Sequence, residues 1–311
     1  MHGQTGLEGR SNMNSILILG GTGATGSWFA SYFKEKGFDV AVWGPSGKVN
    51  IAERLGLRFA HDLMKEVEKS DIVVLSVPID KTVELARQVA PHMRPGSLLM
   101  DLTSLKFDPV RAMKTYAPKG VEVLGAHPMF GPTMHSMNGQ TIILTPVERK
   151  KGNWLSIIRS LFESDGARIE ILSAEEHDEI MAVVQALTHF SFIGIGSALR
   201  ALNFDVEHSR RYMSPVYEIV IDFVGRILDQ NPELYSSIQK NSKAIRVRQT
   251  YIAECMRLCE MIDAGDQDGF MRAMLDAANH YGKTHEALMR SDNLINGSIK
   301  EKEETENRYN I

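Results

Sequence analysis

The chain has 311 residues, 43% hydrophobic and 24% charged, with 25 Gly and 11 Pro. That is enough for about two domains of ~100–200 residues, and it excludes a fibrous or low-complexity chain. The net charge is −4 and no basic stripe is interleaved with aromatics, so a nucleic-acid surface is excluded and small molecules are the expected partners. No uninterrupted run of about 18 apolar residues and no signal peptide is read, which predicts a cytoplasmic protein without a membrane span.

Residues 1–14 and 291–311 are polar, the second carrying a KEKEETENR run, and both are expected to be disordered tails without a functional role. From 15 to 172, short β-rich runs alternate with helical segments. The runs are Ile16–Leu19, Asp39–Trp43, Asp71–Val77, Ser97–Leu102, Val121–Leu124, Thr141–Leu144 and Arg168–Leu172. This alternation predicts an α/β domain with a parallel sheet wrapped by helices. After Ser173 the pattern becomes amphipathic helices over 173–201, 206–229, 232–263 and 266–290, a separate all-α domain spanning 173–290. Ser173 with Glu175 and Glu176 behind it reads as a helix start, and Pro215 and Pro232 as first-turn residues. Cys255 and Cys259 share one face of the third segment. With no His or Cys nearby to complete a ligand set they are expected to be core residues, and no metal is expected.

Directly after the first strand comes Gly20-Gly21-Thr22-Gly23-Ala24-Thr25-Gly26, which contains G-x-G-x-x-G as Gly21, Gly23 and Gly26. In a strand-turn-helix context the glycines allow a tight turn, close approach to a pyrophosphate and close helix-strand packing, with the helix N-terminus facing the anion. The loop therefore predicts a Rossmann-type dinucleotide site. The second strand ends in Trp43-Gly44-Pro45-Ser46-Gly47-Lys48. It lacks the carboxylate that would bind a ribose 2′-hydroxyl, while Ser46 and Lys48 suit a 2′-phosphate, so NAD(P) is the expected cofactor with NADP slightly favoured. The following strand end, Ser76-Val77-Pro78, is placed beside the cofactor crevice.

Two further strand ends at the same carboxyl edge carry polar groups, Asp101-Leu102-Thr103-Ser104-Leu105-Lys106 and Gly125-Ala126-His127-Pro128. Pro128 biases His127 toward extended backbone, and an imidazole held there can act as a general base near neutral pH. In the helical domain Val216, Ile219, Val220, Phe223 and Ile227 form an apolar stripe with Arg226 at its edge. A desolvated guanidinium at that edge needs an internal or a substrate carboxylate. His189 and Gln185, four apart, share a helix face.

The runs DLTSLK, LGAHPMFGP, SAEEHDEIMAVVQALTHFSF and SPVYEIVIDFVGRILDQNPELY resemble, in order and over about 15–290, the prephenate dehydrogenases of tyrosine biosynthesis. The resemblance implies oxidative decarboxylation of prephenate to 4-hydroxyphenylpyruvate, with hydride passing from ring C4 to the nicotinamide. By position, His127 is similar to the residue that accepts the 4-hydroxyl proton, and Ser104 to its hydroxyl partner near the nicotinamide. His189 is similar to a second site histidine, and Arg226 to the arginine holding a substrate carboxylate. The resemblance also implies that the helical domain forms a homodimer. Glu218 and Asp222 stand where relatives can carry a basic residue, which leaves Arg200, Lys243, Arg246 and Arg248 as unranked partners for the pyruvyl carboxylate. Arogenate stays open as substrate. The residues flanking 15–290 are too few for a chorismate mutase segment. A β-hydroxyacid dehydrogenase would use a lysine in the helical domain and give HPMFGP no role. An NADP-sensing regulator would need neither the helical domain nor His127.

Overall fold

The computed structural model describes residues 14–147 and 153–309; the leader expected to be disordered lies, except for Asn14, outside the described residues. The chain divides into two compact units, Met1–Met181 and Ala182–Ile311.

The first unit is built on β1 (Ser15–Leu19), β2 (Asp39–Trp43), β3 (Arg58–Phe59), β4 (Ile72–Leu75), β5 (Leu98–Asp101), β6 (Glu122–Pro128), β7 (Thr141–Pro146) and β8 (Arg168–Ile171). They form one sheet in the order β3-β2-β1-β4-β5-β6-β7-β8. All neighbours are parallel except β6 and β7. The additional strand relative to the sequence expectation, β3, has two residues, too few to read as an apolar run. Side chains alternate across the sheet: Ile16 and Ile18 enter one core cluster, Leu17 and Leu19 the other, so both faces of the central strands are buried and the runs are apolar throughout. Helix α1 (Ala24–Glu35) covers the first face with Phe29 and Phe33. After α2 (Val49–Arg54) and α3 (Leu63–Lys69), helices α4 (Ile79–Val89) and α5 (Phe107–Tyr116) cover the second with Leu85, Val89, Val110 and Met113. Helix α6 (Trp154–Ser164) returns to the first face through Ile158 and Phe162. The helices after β1 and β4 thus leave adjacent strands toward opposite faces, which opens the crevice where doubly wound sheets bind ligands.

Helix α7 (Ala174–Met181) belongs to this first unit, so the compact division lies one helix beyond the expected boundary at 172. The reason is local: His177 and Asp178 are buried against the sheet edge. The second unit opens with a π-helical turn, Ala182–Leu187. It continues through α8 (Thr188–Ala201), α9 (Val206–Ser209), α10 (Pro215–Leu228), α11 (Pro232–Ile238), α12 (Ala244–Asp263), α13 (Gln267–Tyr281) and α14 (Thr284–Tyr309). The first predicted helical segment is therefore continuous through a π-helical turn, and each of the other three is broken once.

Two expectations are corrected. The segment from 291 is helical to Tyr309 as the end of α14; its Lys- and Glu-rich run consists of strong helix formers, and only 310 and 311 lie outside the described residues. Cys255 and Cys259 are exposed, not core, because α12 buries Ala244 and turns its cysteine face outward. Within the continuous helical run Ala174–Ala201, one stretch is long and apolar enough to cross a bilayer by length and composition, and 17% of it is buried. The polar residues Gln185, Thr188 and His189 interrupt this run in the sequence, so a count of uninterrupted apolar residues passes over it.

Candidate active site

The glycine loop has the geometry its sequence implies. Gly20 adopts φ +85°, and a Cβ there would sit 2.1 Å from the Ser76 carbonyl oxygen at the end of β4, so only glycine lets the two strand ends approach. A Cβ on Gly26 would fall 2.3 Å from the Gly20 oxygen, so α1 packs directly on the turn. Helix α1 begins at Gly23 with no side-chain cap, and Gly23 and Ala24 are exposed. The first-turn amides have no side-chain competitor for an anion, which fits a dinucleotide pyrophosphate. Thr22 borders the β2 end so closely that a Cβ on Gly44 would lie 2.9 Å from its Oγ1. Thr25 is half-buried in the first turn, Ser46 and Lys48 are exposed beyond β2, Val77 lies half-buried beside Gly20, and Pro78 starts α4.

The second feature is a buried polar cluster at the ends of β5 and β6. Their parallel register, Asp101 opposite Gly125, puts the DLTSLK loop beside His127. Asp101 ends β5 and organises that loop: its Oδ2 accepts the Thr103 amide at 3.0 Å, the Thr103 hydroxyl and the fully buried Lys106 ammonium. Burial pushes the Lys106 pKa down, and the Asp101 carboxylate opposes that shift. His127, 3% exposed, places Nδ1 2.8 Å from Nε2 of His177, and the His177 Nδ1 lies 2.7 Å from Asp178 Oδ1. Asp178 also accepts the backbone amides of Lys106 and Phe107, at 2.8 and 3.0 Å. It therefore caps α5 from another helix, where the N-terminal dipole favours a carboxylate.

These bonds fix both tautomers. A carboxylate only accepts, so His177 carries its proton on Nδ1. Its Nε2 is then a lone pair that accepts from Nδ1–H of His127, and His127 is left with a basic Nε2. Burial, with the His177 and Lys106 charges, holds the His127 pKa well below 6.5. Burial also lowers that of His177, against the pull of Asp178. Both shifts favour the neutral form of each ring. Ser104 is half-buried in the same loop and makes no side-chain hydrogen bond among the described residues. The bonded partner of His127 is His177.

The second unit holds the other sequence candidates. His189 packs its ring edge-on against Tyr235, centroids 4.5 Å apart. Its Nδ1 and the Oε1 of Gln185 are buried without a hydrogen-bond partner among the described residues. Burial lowers the His189 pKa and raises that of the Tyr235 phenol, which the Arg226 charge partly offsets. Arg226 thus lies electrostatically close to Tyr235. It is exposed, which corrects the expectation of a desolvated guanidinium: the stripe it borders is itself open, with Val216, Val220 and Phe223 exposed. Asp222 and Glu218 face Arg210, at 2.9 and 3.8 Å. Of the unranked cations, Arg248 donates to the backbone and side-chain oxygens of Gln239, whose amide donates to the Ala186 oxygen; this ties it to the turn that carries Gln185. Arg200 and Arg246 are exposed.

Sequence reasoning passed over His177, Asp178, Asp101 and Lys106 as site residues. The available signal was the His-Asp pair of SAEEHDE one turn inside a helix, where a run of acids reads as an ordinary N-terminal turn.

Comparison with known proteins agrees with this layout. Residues 29–171 match the family model for the prephenate dehydrogenase nucleotide-binding domain, and 173–276 match that for the prephenate dehydrogenase dimerization domain. A Methanocaldococcus jannaschii protein described as a probable arogenate/prephenate dehydrogenase is 42% identical over 273 residues, 86% of this chain and 61% of that protein; the chain therefore spans about three fifths of that relative. The Haemophilus influenzae T-protein is 29% identical over 92% of this chain and 72% of its own length. The crystal structure of Aquifex aeolicus prephenate dehydrogenase with hydroxyphenyl propionate and NAD⁺ superposes with a TM-score of 0.70 at 20% identity, covering 88% of this chain and 99% of that one.

Proposed function

The chain belongs to the prephenate dehydrogenase family, and from that premise we propose that it oxidatively decarboxylates prephenate to 4-hydroxyphenylpyruvate with NAD(P)⁺. The observation that carries the proposal is the buried His127, held as a neutral base with Nε2 bare by the chain through His177 to Asp178. When bound, the nicotinamide supplies the hydride acceptor. Gly21, Thr22, Gly23, Ala24, Thr25 and Gly26 hold its pyrophosphate at the N-terminus of α1, Val77 and Pro78 flank the crevice, and Ser46 with Lys48 favours a 2′-phosphate.

As hydride leaves ring C4, carbonyl character develops at the 4-hydroxyl, and His127 Nε2 takes its proton. The bond to the departing carboxylate breaks, CO₂ leaves, and its electron pair aromatises the ring; the resulting phenolate oxygen recovers the proton. A positioned base is worth typically ~10²–10⁴ in rate for such a step. Ser104, at the same strand edge, orients the hydroxyl. His189, packed on Tyr235, and Arg226, whose charge acts on the same phenol, recognise the substrate carboxylates. The open apolar face of the second unit is the surface of a homodimer, and the apolar stretch of Ala174–Ala201 packs there and not in a bilayer, in a cytoplasmic enzyme.

Arogenate is the second reading, favoured by the description of the M. jannaschii relative. Following absorbance at 340 nm with prephenate or arogenate and either oxidised cofactor tests both. Turnover of prephenate is the expected result; turnover of arogenate alone moves the assignment, and turnover of neither refutes it.

A further inference from the structure

Resting on that reading, we infer that the proton taken from the substrate hydroxyl is stored on His177, beside Asp178, and not on His127. His177 and Asp178 are then positioning residues that act through the base. The argument starts from the charges in the cluster. Asp101 and Lys106 neutralise each other as a buried ion pair. Asp178 is the carboxylate hydrogen-bonded to the pair of rings, held by His177 and by two amides at the start of α5. A proton entering at His127 Nε2 releases the one on Nδ1, which crosses the existing hydrogen bond, 2.8 Å between nitrogens, to His177 Nε2. His127 becomes neutral again with its proton on Nε2, and His177 becomes an imidazolium against the carboxylate.

The alternative keeps the imidazolium on His127, without a carboxylate in hydrogen-bond contact; the Lys106 ammonium acts against charge on both rings, and the bonded carboxylate of Asp178 is what separates them. In a low-dielectric interior the charge settles where its counter-ion is bonded. The store also suits the reaction. The hydroxyl proton is needed again when the ring becomes a phenol, so a buried chain that takes the proton and returns it needs no path to solvent; His127 and His177 are 3% and 0% exposed.

The proposal predicts a change of tautomer that can be read without substrate. In full-length protein labelled with ¹⁵N-histidine and titrated with acid, His127 is expected to pass from Nδ1–H to Nε2–H as His177 gains its second proton. A His127 that carries both protons, or a pair that stays neutral until the protein unfolds, overturns it. Kinetics give a second reading. His177→Asn is expected to lower kcat by about 10²-fold at unchanged KM, and His127→Asn/His177→Asn to be no slower than His127→Asn alone, because residues acting as one unit are non-additive. Losses that multiply would mark His177 as a separate structural support and overturn the proposal. If the wild-type enzyme oxidises neither prephenate nor arogenate, the assigned activity fails while the tautomer titration still decides the storage of the proton.

Discussion

The two units solve the problem of burial in opposite ways. The sheet unit closes both of its faces with its own helices, and its central strands from Ile16 to Leu99 are fully buried. Its polar groups include a helix capped by a carboxylate from another element. Among the described residues of the helical unit, the fully enclosed apolar side chains are Ala182, Ala186, Val224, Ile238 and Ala244, three of them alanines. Ile252, Met256, Met274, Leu275 and Leu288 are exposed. A patch of that kind calls for a partner, and the family model that matches this segment is a dimerization domain. The contrast teaches that the hydrogen-bonded chain around the proposed base lies within one unit of one chain, while the helical unit leaves open the apolar faces that the proposed dimer covers.

The largest expected effect breaks the self-contained side of this contrast. His127→Asn keeps a hydrogen-bonding side chain but removes the basic nitrogen. It should lower kcat by about 10²–10⁴-fold with a small change in KM; a variant that retains most of its kcat removes His127 from the mechanism. The same burial sets a pH dependence. The active form is the neutral ring, and its folded pKa lies below the ordinary 6.5 under the combined influence of burial, His177 and Lys106, with Asp101 and Asp178 as the neighbouring carboxylates. The pH profile of kcat/KM should therefore stay flat down through 6.5 and fall only below it. The sign for stability is the same: a depressed histidine pKa contributes stability that is present above the unfolded value and lost as pH falls. A kcat/KM limb centred at or above 6.5 would contradict the buried geometry.

The second expectation addresses the incomplete side. Met274→Glu with Leu275→Glu places charge on the exposed face of α13. It should weaken the dimer by about 10²-fold, visible as monomer in sedimentation at micromolar concentration, since central apolar contacts dominate such interfaces. A wild-type protein that is itself monomeric there would show that the exposed face has another role.

How much could be read in advance follows the same division. The sheet, apart from the two-residue β3, and the glycine loop were legible because the other strands are β-rich runs and the loop glycines answer a steric demand, as at Gly20 and Gly26. His127 was legible because Pro128 and the strand end mark it. His177 was not, because its importance comes from a contact fifty residues away along the chain. The helical unit was the harder half. Amphipathic periodicity located its helices but could not say whether a face meets its own chain or another, so Cys255 and Cys259 were placed inside when they lie outside.

Arg226 sharpens the contrast at about a tenfold level. It is exposed in the last turn of α10, and its neighbours Asp222 and Glu218 face Arg210, so it contributes little to the fold. Arg226→Gln should leave the melting temperature unchanged and raise the KM for prephenate more than about tenfold, as expected when a charged partner of a carboxylate is removed. A lowered melting temperature with normal KM would instead make Arg226 a structural residue of the helical unit.

The smallest expected effect lies at an open loop of the sheet unit. Beyond β2 the chain runs through Pro45, Ser46, Gly47 and Lys48, all exposed, before α2 begins with Lys48 as its N-cap residue. No carboxylate stands in this loop to accept the ribose 2′-hydroxyl of NAD⁺, and a flexible ammonium is the group a 2′-phosphate would meet. An exposed ion pair is screened by solvent and salt, so its removal costs little. Lys48→Ala should therefore raise the KM for NADP⁺ by about fivefold, within the range of exposed pairs, and leave that for NAD⁺ nearly unchanged. The NADP⁺ difference should shrink as salt is added, because the interaction is electrostatic and solvent-exposed. If the unmodified enzyme prefers NAD⁺ strongly, or if both cofactors lose equally in the variant, this loop does not read the phosphate, and selection between the two cofactors rests on the buried crevice between β1 and β4.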